Sequence, residues 1–356
     1  MTFLDKLKNL FKGKVRPAIA FNTGMTPMYS QYGQNIFQDE VVMQAVGCIV
    51  TEMIKLQPKH IRKNGMDLTP QDKTTIQNVL DNPNPLMTQS DFIEKVMWNY
   101  FFNSNSFIIP RYYYWKDEKG NEKRYFTGLY PVRPTQVDFL QDGKDEYYIK
   151  FYFPNLEPVT FPYGDIIHLR REFSHDDFMG GDESGQPNNK NLRKTLLLNE
   201  QILDSVAKSL NASCKINGLL KIKAYLDNEK LKKEIESFNE LLENNIAGIL
   251  PIDSTSDYED LKKDIKIVDA ETLKFVDTKI LRNFGVSIPI LEGKYTKDEY
   301  EAFYQKALEP IIKKLGEAFT KTLFTDRKKS FGNQIIFYTE DLLFLTISQK
   351  LELTRL

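Results

Sequence analysis

Between Ser106 and Phe153 the chain gives up helical spacing for short runs of aromatic and β-branched residues. The runs Phe107 to Trp115, Arg124 to Leu129, Val137 to Leu140 and Tyr147 to Phe153 are parted by charged turns such as Asp117-Glu118-Lys119-Gly120 and Asp142-Gly143-Lys144. Runs of this length between such turns predict the strands of a meander. On both sides the apolar period returns to that of a helix. Helices segregated around a block of strands predict an α+β fold. At 356 residues the chain exceeds the size at which one core stops growing, so more than one module is expected.

The helical stretches carry their own punctuation. Val42, Val46, Ile49, Val50 and Met53 follow Asp39 at helical spacing, and Pro58 stops them before a strand near Lys59 to Arg62 and the tight-turn pair Asn64-Gly65. A helix from Thr74 to Leu80 runs into the breaker stretch Asp81 to Pro85. Ser90 is placed to cap the next helix, which turns Phe92, Val96 and Tyr100 inward. A polar run from Ser174 to Asn191 separates this half from a helix bearing Leu192, Leu196, Leu203, Val206 and Leu210. A strand from Leu219 to Ile222, a charged helix with Leu231, Ile235, Phe238 and Leu242, and a strand from Gly248 to Ile252 follow. Asp269 is placed to cap a helix carrying Leu273, Val276, Ile280 and Phe284, which Gly285 ends. The last long helix opens with a capping box, Thr296 to Glu299, and carries Tyr300, Phe303, Ala307, Ile311, Leu315 and Phe319 on one face. Pro310 should bend it. A final strand is expected from Ile335 to Tyr338.

Composition narrows the function classes. A formal net charge of -1 lacks the basic excess that tight nucleic-acid binding needs, though DNA can slide past a neutral surface. Cys48 and Cys214 show neither metal-ligand spacing nor a disulfide pattern, and usage of this kind suits a reducing cytoplasm. No run of eighteen apolar residues occurs, so no spanning helix and no membrane partner are expected. Phe3, Leu7, Leu10 and Phe11 alternate with Lys6, Lys8, Lys12 and Lys14 near the N-terminus, which reads equally as a docking arm or a frayed end. Asp165, His168, His175, Asp176 and Asp177 form the best cluster for a divalent metal and phosphodiester hydrolysis. Against that, His168 alternates with Ile167 and Leu169 as on a strand, so a structural histidine is the plainer reading. Phosphate-loop and nucleophile-elbow motifs are missing, and no catalytic residue, metal or cofactor is assigned.

Five strings in order point further. They are Ala45-Val46-Gly47-Cys48-Ile49-Val50 with Leu56-Gln57-Pro58-Lys59-His60-Ile61; Leu80-Asp81-Asn82-Pro83-Asn84-Pro85 before Phe92; Leu129-Tyr130-Pro131-Val132-Arg133-Pro134 with Val137; Asp165-Ile166-Ile167-His168-Leu169-Arg170; and Phe284-Gly285-Val286-Ser287-Ile288-Pro289 with Leu291-Glu292-Gly293. Together they resemble the portal proteins of long-tailed phages of the Hong Kong ninety-seven type. The resemblance runs from about Ala45 to the C-terminus.

The resemblance implies a portal fold with a mixed α/β wing, a helical stem, a small α/β clip and a long kinked helix. An N-terminal arm would span 1–35, the wing 36–190, stem helices 191–213 and 257–285, the clip 214–256, a tunnel loop 286–296, and the long helix with its return to the wing 297–356. The crown would be short or absent. The implied particle is a homo-oligomeric ring of twelve copies at one capsid vertex, assembled in the bacterial host's cytoplasm. Its implied partners are double-stranded DNA in the tunnel, the large terminase, the major capsid or scaffold protein, and a head-tail adaptor. Tunnel candidates are Ser287, Ile288, Leu291, Glu292, Gly293, Lys294 and Tyr295, and the partner-facing clip candidates are Lys230, Lys232, Lys233, Glu234 and Glu236. Two other readings stand beside this one: a metal-dependent nuclease using the Asp165 cluster, and a non-phage oligomeric adaptor joined through its helical half.

Overall fold

In the computed structural model the described residues are 19–20, 36, 39–65, 67–116, 122–142, 146–173, 177–183, 185–213, 218–222, 232, 233, 236, 256–260 and 270–338. The chain divides into two units, Met1–Leu196 with Val276–Leu356, and Leu197–Phe275.

The first unit is built on three antiparallel sheets. One has the order β12-β2-β3, from Asn333–Tyr338, Gln57–Asn64 and Asp67–Pro70. The second is β5-β4-β9, from Glu122–Val132, Asn105–Lys116 and Ile167–Arg170. The third is β1-β6-β7-β8, from Ile19–Ala20, Gln136–Gln141, Tyr147–Tyr152 and Val159–Pro162. Phe107, Ile109, Val137, Phe139, Ile149, Phe151 and Phe161 fill the core between the last two, with the Phe107 and Phe151 rings edge to face at 5.2 Å. The four strands lie where the sequence places them, but they do not make one meander: β4 and β5 pair in one sheet and β6 and β7 in another. The short strands β3 and β8 escape the sequence reading, and β3 is exposed throughout and ends on Pro70, as an edge strand tolerates.

Helices α1 (Glu40–Met53), α2 (Thr75–Asp81) and α3 (Gln89–Asn103) follow their apolar spacing. In α1 the buried side chains are Val42, Ala45, Val46, Ile49, Val50 and Met53, and Asp39 caps it by accepting from the Val41 and Val42 amides. The cap of α3 is Thr88 rather than Ser90. Thr88 has Asp91 three residues on to return the bond and close a capping box, whereas Ser90 has Ile93, which cannot.

Side chains of neighbouring helices close the sheet edges. Beyond the reach of β3, the buried Gln77 of α2 accepts from the His60 amide and donates to the Pro58 carbonyl, standing in for a strand. Helix α8 (Glu309–Leu323) serves two edges at once. Thr320 accepts from the Ile335 amide on β12, while Thr322 donates to the Ile166 carbonyl and Lys314 to that of Arg170, beside β9. Gly316 lets α8 approach β12, since a Cβ there would stand 2.7 Å from the Ile335 carbonyl oxygen.

The long C-terminal helix is interrupted where the sequence expects a bend. Helix α7 (Lys297–Phe303) passes into a π-turn, Tyr304–Leu308, and then into α8, with Pro310 in its first turn. The Glu309 amide donates five residues back, to Tyr304. The wider turn slides the apolar stripe by one residue: Leu308 and Ile312 are buried where the sequence favours Ala307 and Ile311. Leu315 and Phe319 are buried as read.

In the second unit, β10 (Gly218–Ile222) pairs antiparallel with β11 (Ser256–Asp260). The sequence does not show β11, whose Ser-Asp-Tyr-Glu-Asp has little strand propensity; pairing with β10 overrides it. This strand spans the expected clip border at 256/257, helix α5 covers Ala270–Phe284, and 261–269 lie outside the described residues. The expected strand from Gly248 to Ile252, the cap at Asp269, Cys214 and the arm residues Phe3 to Lys14 lie outside the described residues.

Candidate assembly and channel surfaces

The segment after α5 is held at both ends by the same device. The Gly285 amide donates to the Arg282 carbonyl and the Val286 amide to Leu281, a complete Schellman motif with Gly285 at φ 75° and Val286 buried. Only glycine takes that backbone conformation without a Cβ penalty, as the sequence anticipates. Helix α6 (Ile288–Glu292) follows, with Ser287 at its N-cap position. Its end repeats the pattern: Gly293 donates to Ile290 and Lys294 to Pro289, with Gly293 at φ 71°. The expected tunnel loop is therefore a short helix between two glycine caps. Two local Schellman closures in ten residues satisfy the backbone that an open loop would leave to water.

Of the tunnel candidates, Ser287, Glu292, Gly293, Lys294 and Tyr295 are exposed, and Ile288 and Leu291 are half-buried. Ile290 is the residue that anchors α6. Glu292 and Lys294 pair at 3.2 Å on the surface, which keeps the stretch mixed in charge. Tyr295 stacks on Tyr300 at 5.3 Å, and Tyr300 donates to Glu52 of α1 at 2.8 Å, so the exit is fixed to the first unit. The Thr296–Glu299 capping box forms as read, and its Thr296 hydrogen bonds hold the Glu299 carboxyl below the usual range.

Of the clip candidates, Lys232, Lys233 and Glu236 are helical and exposed, and Lys230 and Glu234 lie outside the described residues. Helix α4 (Lys190–Ser213) bears the expected stripe, yet only part of it is covered. Leu192 is buried, whereas Leu203 is 54% exposed, joined by Leu197 at 49% and Leu198 at 45%; on α5, Phe275 is 65% exposed. The helical period finds this stripe but cannot tell that the chain leaves it bare.

Among the described residues, Asp165, His168 and Asp177 do not assemble a metal site. Asp165 accepts from the Tyr112 hydroxyl at 2.7 Å and from Arg124 at 2.6 Å. His168 lies opposite the buried Ile167 and Leu169, with Nε2 to Asn105 at 2.9 Å and Nδ1 to the Tyr163 hydroxyl at 3.0 Å. Asn105 also binds both backbone groups of Gly180, so its oxygen accepts while its amide donates. That assigns the His168 proton to Nε2 and makes Nδ1 the acceptor. Burial, then Arg170 and Lys321, hold the ring well below the ordinary histidine range, and it stacks on Phe107 at 4.2 Å. Asp177 is exposed, and His175 and Asp176 lie outside the described residues. Among the described residues no group of three or more His, Cys, Asp or Glu is placed to hold a metal, and no helix is long and apolar enough to cross a membrane.

One surface was not singled out from the sequence. On the β4–β5 hairpin, Tyr113, Trp115 and Tyr125 are 51%, 52% and 39% exposed. Only the pairing register shows that they share a face.

Comparison with known proteins completes the picture. The family model for phage portal proteins matches residues 40–355. Probable portal proteins of Lactococcus phages p2 and SK1 are each 25% identical over stretches covering 38% of this chain and 38% of the relative's length. The neck of an empty gene transfer agent particle, computed with C6 symmetry, contains a chain similar in fold: TM-score 0.66, 13% identity, 98% of this chain and 93% of that one. An HK97-family portal protein from Corynebacterium diphtheriae has a TM-score of 0.51 at 10% identity, over 92% of this chain and 98% of that one. With the family model spanning nearly the whole length and the fold shared with an HK97-family portal, this chain belongs to the phage portal protein family.

Proposed function

We propose that the chain is one subunit of a closed ring of twelve copies, set at one capsid vertex, through which double-stranded DNA enters and leaves. The observation that carries this reading is the apolar side chains that α4 leaves exposed, Leu203 on its stripe and Leu197 and Leu198 on its other sides. Burying a leucine stabilises by about 1.5–3 kcal/mol, and a ring repeats that gain at every joint. Contacts of one patch against a different patch on the next copy close into a ring when the rotation allows it. Similar folds occur in particle necks computed with C6 and C12 symmetry, which supports a rotational assembly.

A conduit wall must not hold phosphates, because each neutralised phosphate releases counterions and strengthens binding. The stretch from Ser287 to Tyr295, with Glu292 paired to Lys294, fits a wall of that kind. Lys232, Lys233 and Glu236 in the second unit fit a docking face for terminase and the head-tail adaptor. The mass of the purified chain, alone and with capsid or scaffold protein, tests the ring. A twelve-copy species seen as an annulus by electron microscopy is expected, and Leu197→Glu with Leu203→Glu should leave monomers of unchanged fold. Monomers under every condition would overturn the reading.

A further inference from the structure

A ring closed by rotation needs two different patches on each copy, one fitting the other. Helix α4 offers one of them in the exposed Leu197. The outer side of α3 carries a groove of about 330 Å³ that is built to receive it. Trp98 and Phe102, one helical turn apart and half-buried, stack at 5.2 Å and form the floor. Asp91 and Glu94 make one end acidic, and Lys95 lies between them and the rings. At the other end Arg133 holds its guanidinium 6.0 Å from the centre of the Phe102 ring. The buried Asn99 donates to the Val132 carbonyl at 3.5 Å and so fastens the link that carries Arg133.

The exposed side of α4 has the opposite order of charge. Arg193 and Lys194 come first, Leu197 follows one turn later, and Glu200 and Asp204 come after it, all of them exposed. From Arg193 to Asp204 the rise is about 17 Å, the same as from Asp91 to Phe102. Laid parallel along α3, α4 of another copy would set Arg193 and Lys194 against Asp91 and Glu94, and Leu197 against Trp98. Glu200 and Asp204 would then meet Lys95 and Arg133. Laid antiparallel, acids would meet acids and bases would meet bases. Among the described residues none of these charges has an ion-pair partner. Exposed pairs of this kind contribute little energy but set partner and register, while a leucine on an aromatic floor supplies the attraction.

We propose that the α3 groove is the seat for α4 of the neighbouring copy, parallel and with Leu197 on Trp98. This rests on the ring proposed above and names the second patch of its joint. Leu203 lies on another side of α4 and takes no part in this contact.

The test divides the joint between two full-length variants. One reverses the groove, Glu94→Lys with Arg133→Glu, and the other reverses the helix, Lys194→Glu with Asp204→Lys. Each alone sets like charges against each other at every joint, and the concentration needed for assembly should rise about tenfold or more. An equal mixture can alternate around the ring with every joint matched, and should assemble like the unaltered chain. Circular dichroism checks that both fold, and mass measurement with electron microscopy counts rings. In a Trp115→Phe background Trp98 is the one tryptophan left, and its emission should move to shorter wavelength on assembly. Rings from either variant alone at the usual concentration, a folded mixture that stays unassembled, or unshifted Trp98 emission would each overturn the seat and leave the ring standing. An unaltered chain that never assembles would overturn both.

Discussion

Helices α8 and α4 are both amphipathic, yet their apolar stripes meet opposite fates. On α8 the stripe is buried within the chain: Phe319 is 1% exposed and packs edge to face on Phe337 at 5.3 Å and on Phe92 at 6.4 Å. On α4, Leu203 of the stripe is 54% exposed. One stripe serves the folding of a single copy. The other is free to serve association between copies. Periodicity is blind to this difference, because it reports that a face is apolar and not what covers it.

The sharpest way to break the comparison is to truncate both stripes. Phe319→Ala should cost about 3–5 kcal/mol in chemical denaturation of the monomer, as deletion of a buried ring does. Leu203→Ala should stay within about 0.5 kcal/mol by the same measurement while weakening assembly. Equal losses from the two would show that α4 is covered within one copy. A smaller effect is expected from Gly316→Ala, whose new Cβ would meet the Ile335 carbonyl. Helix α8 must then back away from β12, and a loss of about 1–3 kcal/mol in the same assay is expected.

The subtlest test uses pH. His168 and His60 both have pKa values lowered first by burial, so the unfolded chain takes up protons that the folded chain refuses. Their contribution is complete above the unfolded value of about 6.5 and declines as pH falls below it toward the folded values. The melting temperature should therefore drop between about pH 7 and pH 5. The drop should be shallower in His168→Gln, and an unchanged slope would show that the Asn105–His168–Tyr163 arrangement does not resist protonation.

Much of the fold is legible in the residues because it is local. The helix stripes, the Thr296–Glu299 box, the Gly285 cap and the β4–β5 and β6–β7 hairpins all depend on neighbours close in the chain. What escapes is long-range. Nothing near Gln77 marks it as the partner of His60, and nothing in Ser256–Asp260 marks a strand except β10 across from it. At the candidate site, the turn signals mark the stretch from Ser287 to Tyr295, but two closures in quick succession make α6 where a loop is expected. The aromatic face of the hairpin was hidden for another reason. Alternation separates the two faces, but both are aromatic here, so only the bonds of Tyr112 and Arg124 to Asp165 tell them apart.

The π-turn at Tyr304–Leu308 has a consequence for how the chain tolerates change in length. Deleting one residue there would restore ordinary helical winding and keep α8 in phase with α7, because the wide turn takes up one residue more than an α-turn does. Forcing ordinary winding onto the full-length segment would instead rotate everything after it by about 100° relative to α7. Thr320 and Thr322 would then swing off the strand edges they close, and Phe319 would leave its cleft. The wide turn acts as a phase adjuster: a variant shortened by one residue within it should keep its cohesion, and one shortened inside α8 ahead of Thr320 should lose it.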